Sequence, residues 1–206
     1  MNQKNLVLKS YKKFCQAEGN EHIASEFAVL KIQELIEKFD IKSILEIGLG
    51  IGAIAGSILS VDRNLIYAGT ENNEFCLAAL KKNLGTKFQN LKVFYELSEV
   101  PISNYDLIII DGKDPELSKI KHLLNSSGII VIEGDRLPQQ RLLKKYIPAH
   151  KFVHAISNKR NAIYSPFSQA HWQGGVKIIF VDPGFNQLIW WGKEKFKTKL
   201  KYYFRK

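Results

Sequence analysis

The chain has 206 residues and a formal net charge of +10. This length suits one globular domain, which can bury enough apolar surface to fold without a disulfide or a structural metal. Residues 193–206 carry seven of the 30 basic residues and a single acid, so this tail accounts for +6 of the charge. Because the rest of the chain is nearly balanced, charge alone does not indicate a nucleic-acid-binding protein.

Neither the first residues nor the later apolar runs indicate a membrane protein. No run approaches the roughly 18 apolar residues of a membrane span, and the first residues lack an apolar export signal. The two cysteines, Cys15 and Cys76, have no metal-binding spacing. We therefore expect a soluble, cytoplasmic protein without structural zinc.

The apolar pattern predicts a helical segment followed by alternating strands and helices. Residues 5–39 have helical periodicity, with Ser25 as a candidate N-cap. From residue 42, short apolar runs alternate with helical stretches, which is typical of a parallel sheet covered on both faces. The predicted strands are 43–47, 65–69, 91–95, 106–110, 128–132, 151–156 and 176–181, and the predicted helices between them are 52–60, 73–84, 115–125 and 138–146.

We predict one α/β domain over residues 1–206, built on a doubly wound, mostly parallel, seven-stranded Rossmann-like sheet. Its parts are an N-terminal helical cap (1–40), the Rossmann-like core (41–182) and a basic, aromatic C-terminal extension (183–206).

The C-terminal extension has the pattern of an amphipathic helix. An apolar stripe runs between its lysines, and such a face gains stability by being buried. We expect it to cover the domain's own flank, with a second subunit or an anionic membrane as the alternatives, and to leave the sheet at the edge opposite the ligand crevice. The stripe consists of Phe196, Leu200, Tyr203 and Phe204.

The first predicted strand leads into a glycine-rich loop formed by Gly48, Gly50 and Gly52, with Glu46 two residues before it. Glycines here permit a tight strand-to-helix turn and let a ligand lie against the backbone. Taken as Gly48-x-Gly50-x-x-Ala53, the loop also fits the dinucleotide fingerprint. The loop alone therefore leaves a nucleotide-type site and a structural turn open.

The second predicted strand ends at Glu71, about 20 residues past the loop, where an acid can accept both ribose hydroxyls of a nucleotide. We assign Asn72 to the same site. The alternative is that Glu71 only favours the start of the next helix, with Asn73 as its N-cap.

The pattern acid-x-Gly-x-Gly-x-Gly from Glu46 to Gly52 resembles motif I of the class I S-adenosylmethionine-dependent methyltransferases. In that family the acid reaches toward the methionine amino group, which implies this role for Glu46 and implies that the glycines contact the cofactor. Such enzymes hold the adenine after the third strand. The resemblance thus makes Leu97 and Ser98 candidates, although a serine there is also a common turn residue.

The fourth strand ends in Asp111-Gly112, which places the acid at the sheet edge where doubly wound folds bind ligands. This segment resembles motif IV of the catechol O-methyltransferase-like group, in which the acid binds Mg²⁺ and a lysine is the base. The resemblance implies that Asp111 contacts the cofactor and acts in catalysis with Lys113, although the lysine stands one residue closer than usual.

A metal site would need further oxygen ligands after the fifth strand. Glu133 and Asp135 stand where the catechol O-methyltransferase-like group has an Asp-Asn pair. They either join Asp111 around a divalent cation such as Mg²⁺ or pair with Arg136 and Arg141.

The connection at 157–175 has no helical pattern, and a long structureless stretch inside a domain is often functional. Its mixture of polar, cationic and aromatic residues suits a sugar-like or anionic small acceptor. His171 is placed there as a candidate base, whereas His22 and the other histidines are expected to be surface or packed residues. The alternative is a solvated hairpin excursion.

We expect methyl transfer from S-adenosylmethionine to an oxygen, less readily a nitrogen, of a small molecule. No Asn/Asp-Pro-Pro-Tyr/Phe motif or cysteine follows the fourth strand, which argues against methylation of nucleic-acid bases. Three alternatives stay open: spermidine-synthase-like aminopropyl transfer, suggested by Asp111-x-x-Asp114-Pro115, an RNA methyltransferase anchored by the tail, and a non-catalytic nucleotide-binding module. A homodimer and weak membrane-surface contact through the tail also stay open.

Overall fold

The computed structural model describes residues 2–61, 64–134, 136–147 and 150–205. Within these residues the chain forms α-helices and one sheet of seven strands. The helices are α1 (Gln3–Phe14), α2 (Glu26–Lys38), α3 (Ala53–Ile58), α4 (Glu74–Leu84), α5 (Leu137–Tyr146) and α6 (Phe185–Phe204). The strands are β1 (Ser43–Ile47), β2 (Ile66–Thr70), β3 (Leu91–Phe94), β4 (Tyr105–Ile110), β5 (Leu124–Glu133), β6 (His150–Ile156) and β7 (Gly175–Val181).

The strand order is β3-β2-β1-β4-β5-β7-β6, and β7 runs antiparallel to both of its neighbours. The pairs among β1 to β5 are parallel. This confirms the predicted mostly parallel, seven-stranded sheet. The chain winds outward in both directions from β1 and β4, and the ligand crevice of such folds lies at the carboxyl ends of the strands at this reversal.

Each face of the sheet has its own apolar core, because successive strand residues point to opposite sides. Ile44 belongs to the core that α1 to α4 and α6 cover. Leu45 and Ile47 belong to the other core, which contains Leu143 of α5. The continuous apolar runs of the strands follow from this double burial.

The helical segment predicted over 5–39 is formed by two helices, α1 and α2, which are separated by a break in the chain. Gly19 has a φ of +81° in the left-handed region, and a short 3-10 turn follows at Asn20–His22. The Asn20 side chain donates to the Cys15 carbonyl, which closes the end of α1. The predicted N-cap is confirmed, because the Ser25 hydroxyl accepts from the Ala28 N–H at 3.2 Å.

The helix predicted at 115–125 is wrong. The chain makes only 3-10 turns at Leu117–His122, and β5 begins at Leu124, opposite Tyr105. The Asp114 carboxylate accepts from the N–H groups of Glu116 and Leu97. It thus ties this connection to the end of β3, and the early start of β5 at Leu124 shortens the connection.

Helix α6 packs on the domain's own flank, as expected, but with the opposite face. Trp190 lies edge-on to Phe180 at 5.5 Å between ring centroids, and Glu194 is only 1% exposed. Phe196 and Tyr203 of the predicted stripe are 65% and 72% exposed. The buried face is therefore made of an aromatic ring and an acid, and the aromatic stripe faces outward.

The helix leaves β7 at the edge opposite the crevice, as predicted, and then runs back along the sheet. Its last residues reach the crevice edge, where the Arg205 guanidinium donates to the carbonyls of Ser157 and Gly174. The tail is therefore joined to the β6–β7 connection. Among the described helices, none has the length and hydrophobicity that a membrane span requires.

Glu194→Ala should lower the free energy of unfolding by about 3 kcal/mol. Glu194 accepts from the Lys31 ammonium at 3.1 Å, and its loss leaves this buried charge paired with no carboxylate but the half-exposed Glu34 among the described ion pairs. Urea denaturation measures the change. The matched control is Lys193→Ala at an exposed position of the same helix, which should stay within about 0.5 kcal/mol. Equal stability of the two variants would refute the anchoring role of this ion pair.

Candidate functional site

The glycine loop turns sharply out of β1 through residues in the left-handed region. Gly48 has a φ of +86° and Gly50 a φ of +54°, which favours glycine at both positions. A Cβ at Gly48 would lie 2.5 Å from the Gly112 Cα, so the loops after β1 and β4 touch through their backbones. A Cβ at Gly50 would meet no atom within 4 Å. Gly50 therefore borders open space, where a ligand can lie against its backbone.

Glu71 closes the glycine loop from the neighbouring strand. One of its carboxylate oxygens accepts from the Gly50 N–H at 2.7 Å, and the other accepts from the N–H groups of Asn72 and Asn73. The Asn73 side chain caps α4 by accepting from the Cys76 N–H. Glu71 thus stands between the loop and the start of α4, with its negative charge held by backbone donors.

Glu46 lies beneath the loop rather than in the open crevice. Its side chain is buried, and one carboxylate oxygen accepts from the Tyr67 hydroxyl at 2.5 Å. The other oxygen, Oε1, is buried without a hydrogen-bond partner. Burial raises the pKa of Glu46 well above its usual range, and the hydrogen bond from Tyr67 opposes this rise.

Two cavities, of about 400 and 310 Å³, meet at the carboxyl edge of the sheet. Both are lined by Gly50, Asp111 and His22, so they adjoin. We call the larger one the polar cavity and the smaller one the apolar cavity. Of the predicted site residues, the polar cavity is also lined by Gly48, Glu71, Asn72 and Lys113.

Asp111 and Glu133 form a pair of carboxyl groups at the ends of β4 and β5. The Arg136 guanidinium donates to Asp111 Oδ1 at 3.0 Å and also to the carbonyls of Asp111 and Glu133. The backbone N–H of Ser25 donates to Glu133 at 3.3 Å. One arginine therefore holds the ends of both strands together and offsets part of their negative charge.

Burial raises the pKa of Asp111 to about 8, the nearby Glu133 carboxyl adds to the rise, and Arg136 opposes it. Burial also raises the pKa of Glu133, while the Ser25 N–H and Arg136 lower it. At neutral pH the pair therefore retains a proton. A carboxyl group with a pKa near neutrality in a cavity wall is a candidate for acid–base work.

Two of the three residues predicted to bind a divalent cation, Asp111 and Glu133, come together in the structure. The Arg136 guanidinium pairs with Asp111 and offsets part of their negative charge. No cluster of three or more acidic, histidine or cysteine ligands occurs among the residues that the structure describes. Asp135, the third predicted ligand, lies outside the described residues.

Several predicted site residues lie away from the two cavities. Gly52 packs against α4, because a Cβ there would lie 2.6 Å from the Leu80 and Leu84 side chains. Leu97 is buried, and the Ser98 hydroxyl donates to the Glu96 carboxylate. These three residues line neither cavity.

The β6–β7 connection does not form a wall of either cavity. The backbone of His171 hydrogen-bonds to Ser168 and Asn161 within the same connection, and the Tyr164 hydroxyl donates to Glu26 of α2. Ser157, Lys159 and Gln173 line a separate cavity of about 320 Å³ beside α2, and the acceptor pocket at 157–175 stays a prediction. The connection packs on the helical cap instead.

His22, Tyr95 and Arg136 are among the residues that line the polar cavity but were not predicted as site residues; Arg136 was considered only as an ion-pair partner of Glu133 and Asp135. His22 reaches the crevice because the chain breaks between α1 and α2, which the helical periodicity concealed. Tyr95 follows β3 directly, and its aromatic ring at a strand end was an available signal. The pairing of Arg136 with Asp111 depends on the contact between two strand ends.

No protein-family profile and no curated protein matches the sequence. The solved structures do match. An O-methyltransferase from Bacillus cereus in complex with S-adenosylhomocysteine has a TM-score of 0.60 at 12% identity, over 85% of this chain and 90% of that chain. The fold is that of the class I methyltransferases.

Other solved structures share this methyltransferase fold. The tRNA (m1A58) methyltransferase from Aquifex aeolicus matches with a TM-score of 0.60 at 17% identity, over 82% of this chain and 75% of that chain. An S-adenosylhomocysteine-bound methyltransferase from Podospora anserina matches with a TM-score of 0.57 at 14% identity, over 86% and 88% of the two chains. The methyltransferase fold is common to all of them and leaves the acceptor open.

Gly50→Val should abolish binding of S-adenosylhomocysteine, because the new side chain fills the open space over the loop and strains a left-handed residue. Gly85→Val is a matched control, since Gly85 has a φ of +55°, equally open surroundings and a position outside both cavities. Both variants place a β-branched residue at a positive φ, and only the first should lose binding by calorimetry. Equal affinities in the two variants would remove Gly50 from the ligand site.

Asp111 should make the protein less stable as the pH rises. The folded state keeps a proton on this carboxyl up to about pH 8, whereas the unfolded chain releases it near pH 3.8. The stability that this proton contributes is therefore present at acidic pH and lost as the pH rises through about 8. Urea denaturation should show a larger loss in the wild type than in Asp111→Asn, because Glu46 and Glu133, whose pKa values are also raised, are present in both proteins.

The control for this titration is Asp40→Asn, because Asp40 is exposed and pairs only with the exposed Lys42 among its described ion pairs. This variant should follow the pH dependence of the wild type. A parallel pH dependence of the wild type and Asp111→Asn would show that Asp111 titrates normally.

Proposed function

We propose that this protein transfers a methyl group from S-adenosylmethionine to an oxygen of a small polar molecule. One observation carries the proposal. In a sheet with the class I methyltransferase strand order, Gly50, Glu71 and Asp111 from three strand ends line one cavity. Both cavities fall within the size range of roughly 300–1,000 Å³ that is typical of small-molecule sites.

The residues of the polar cavity fit the parts of S-adenosylmethionine. Glu71 offers carboxylate oxygens that suit the two ribose hydroxyls, and its Gly50 N–H partner can be exchanged for a ligand donor. Tyr95, which is 57% exposed at the end of β3, offers a ring face for the adenine. The unpartnered Oε1 of Glu46 suits the methionine ammonium, reached through a water molecule. Gly48 and Asn72 complete this cofactor site.

The strand order also favours a methyl donor over a dinucleotide. The usual dinucleotide-binding fold has the order 3-2-1-4-5-6. Here the antiparallel β7 lies between β5 and β6, as the class I methyltransferase order requires. This feature favours S-adenosylmethionine, although the glycine loop alone fits both ligands.

When bound, S-adenosylmethionine supplies a methyl group on a positively charged sulfur. The acceptor oxygen forms its bond to this carbon as the carbon–sulfur bond breaks, and the acceptor proton passes to a base. Asp111 in its deprotonated form is the base that we propose, because it lines both cavities and its pKa of about 8 leaves a fraction of the protein with the free carboxylate near neutral pH. Positioning of the two reactants can contribute roughly 7–11 kcal/mol to the lowering of the barrier.

Arg136 and Glu133 set the strength of this base. Arg136 orients the Asp111 carboxylate, and Glu133 raises its pKa toward neutrality, where a general base works best. Lys113 and His22 line the same cavity and add donors around the acceptor. This surrounding charge suits a hydroxylated or anionic small molecule.

Parallel calorimetric titrations test the cofactor. We expect S-adenosylhomocysteine to bind in the micromolar range, and NAD⁺ and decarboxylated S-adenosylmethionine to bind far more weakly. Tight binding of NAD⁺ would replace the proposal by a dehydrogenase-type site, and preferred binding of decarboxylated S-adenosylmethionine would favour aminopropyl transfer. A protein that binds none of the three ligands would contradict the proposal.

Asp111→Asn should keep its affinity for S-adenosylhomocysteine within a few-fold and lose roughly 10²–10⁴-fold in turnover. The assay follows release of S-adenosylhomocysteine over a panel of hydroxylated and anionic small molecules, with Asp40→Asn as the matched control. Full turnover of Asp111→Asn would exclude it as the base. EDTA should leave the wild-type rate unchanged, because Arg136 supplies the local positive charge.

A further inference from the structure

Helix α6 has an apolar face that the domain leaves exposed. At about 100° per residue, the positions i, i+4, i+11, i+15 and i+18 fall on one side of a helix. Beginning at residue 185, these positions carry apolar side chains that are all exposed in the structure. We call them the outer stripe, and they are Phe185, Ile189, Phe196, Leu200 and Tyr203.

The outer stripe lies opposite the face that anchors the helix. Trp190, Glu194 and Thr198 are the buried residues of α6, and they lie about half a turn away from the outer stripe. The Trp191 indole donates to the Phe152 carbonyl at 2.8 Å and completes the anchoring face. The helix is thus held by one side, and its apolar side is free to contact another surface.

Lysines flank the outer stripe on both sides. By the same angular spacing, Lys193 and Lys197 lie along one border and Lys195 and Lys199 along the other. All four residues are exposed. An apolar centre with cations along both borders is the pattern of helices that lie in the plane of an anionic lipid surface.

We propose that α6 docks the protein on an anionic lipid bilayer through the outer stripe, with these lysines at the phospholipid headgroups. Charge decides between this occupant and a second copy of the chain. A symmetric pair of α6 helices would bring eight lysines together around one apolar contact, which charge repulsion opposes. Anionic headgroups instead neutralise these charges, and each lysine near such a surface strengthens binding about fivefold.

The helix is suited to lie on the surface rather than to cross it. Its anchoring face stays packed on the sheet, so insertion is limited to the outer stripe. Burial of these side chains at the headgroup boundary adds to the electrostatic attraction, and neither contribution needs the domain to unfold.

Vesicle co-sedimentation tests the docking. We expect the wild type to bind vesicles of phosphatidylcholine with phosphatidylserine, to bind phosphatidylcholine alone at least tenfold more weakly, and to lose binding as salt is added. The double variant Phe196→Ser/Tyr203→Ser should bind the phosphatidylserine vesicles at least tenfold more weakly than the wild type. The double variant Lys193→Gln/Lys199→Gln should bind these vesicles about 25-fold more weakly, because each of the two lysines strengthens binding about fivefold.

The matched control is Ile102→Ser/Ile163→Ser, which removes two apolar side chains that are each 85% exposed elsewhere on the surface. It should bind vesicles like the wild type. Equal loss in this control, or no preference for phosphatidylserine, would overturn the proposal.

Two further measurements separate this proposal from its rivals and from the proposed function. Wild-type dimerisation in size-exclusion chromatography that Phe196→Ser/Tyr203→Ser abolishes would assign the outer stripe to a second copy and overturn the lipid proposal. Affinity for S-adenosylhomocysteine should be the same in every α6 variant, so loss of lipid binding with this affinity intact supports docking independently of catalysis.

Discussion

The close contact between Gly48 and Gly112 is the constraint on which the crevice depends. A side chain at either position would collide with the backbone of the other loop, so the chain after β1 and the chain after β4 must meet as bare backbone. The Asp111 N–H donates to the Ile47 carbonyl, and the Gly48 N–H donates to the Thr70 carbonyl. Three adjacent strand ends are thereby joined, and their acids surround one space.

The acids at these strand ends have different electrostatic surroundings. Glu71 has its charge satisfied by backbone N–H groups, whereas Asp111 and Glu133 share a buried position and one guanidinium. A charge-stabilised carboxylate is a good acceptor for hydroxyl groups, and a carboxyl group with a raised pKa exchanges protons near neutral pH. The two environments give similar side chains different chemical uses, one for binding and one for proton transfer.

Helix α6 has a buried side that anchors it to the domain and an exposed apolar side. The sequence pattern predicted a single apolar side that would be buried. The buried side holds an ion pair between Glu194 and Lys31, which carries a desolvation cost and fixes the orientation of the helix. Its outer stripe stays exposed on the other side of the helix. An apolar face exposed in this way is a feature of proteins that bind another surface, and the lysines determine which surface suits it.

The sequence by itself determined the strands, the glycine loop and the acids at the strand ends, because these depend on local periodicity and on backbone conformations that glycine permits. β1 was predicted to the residue, and Ser25 to its capping role. Only the tertiary structure decided that His22 enters the crevice, that Arg136 pairs with Asp111 and that the aromatic stripe of α6 faces outward. These features depend on contacts between elements that are distant in the sequence. In α6, the ion pair between Glu194 and the buried Lys31 turns a charged face toward the domain, which hydrophobicity alone would not predict.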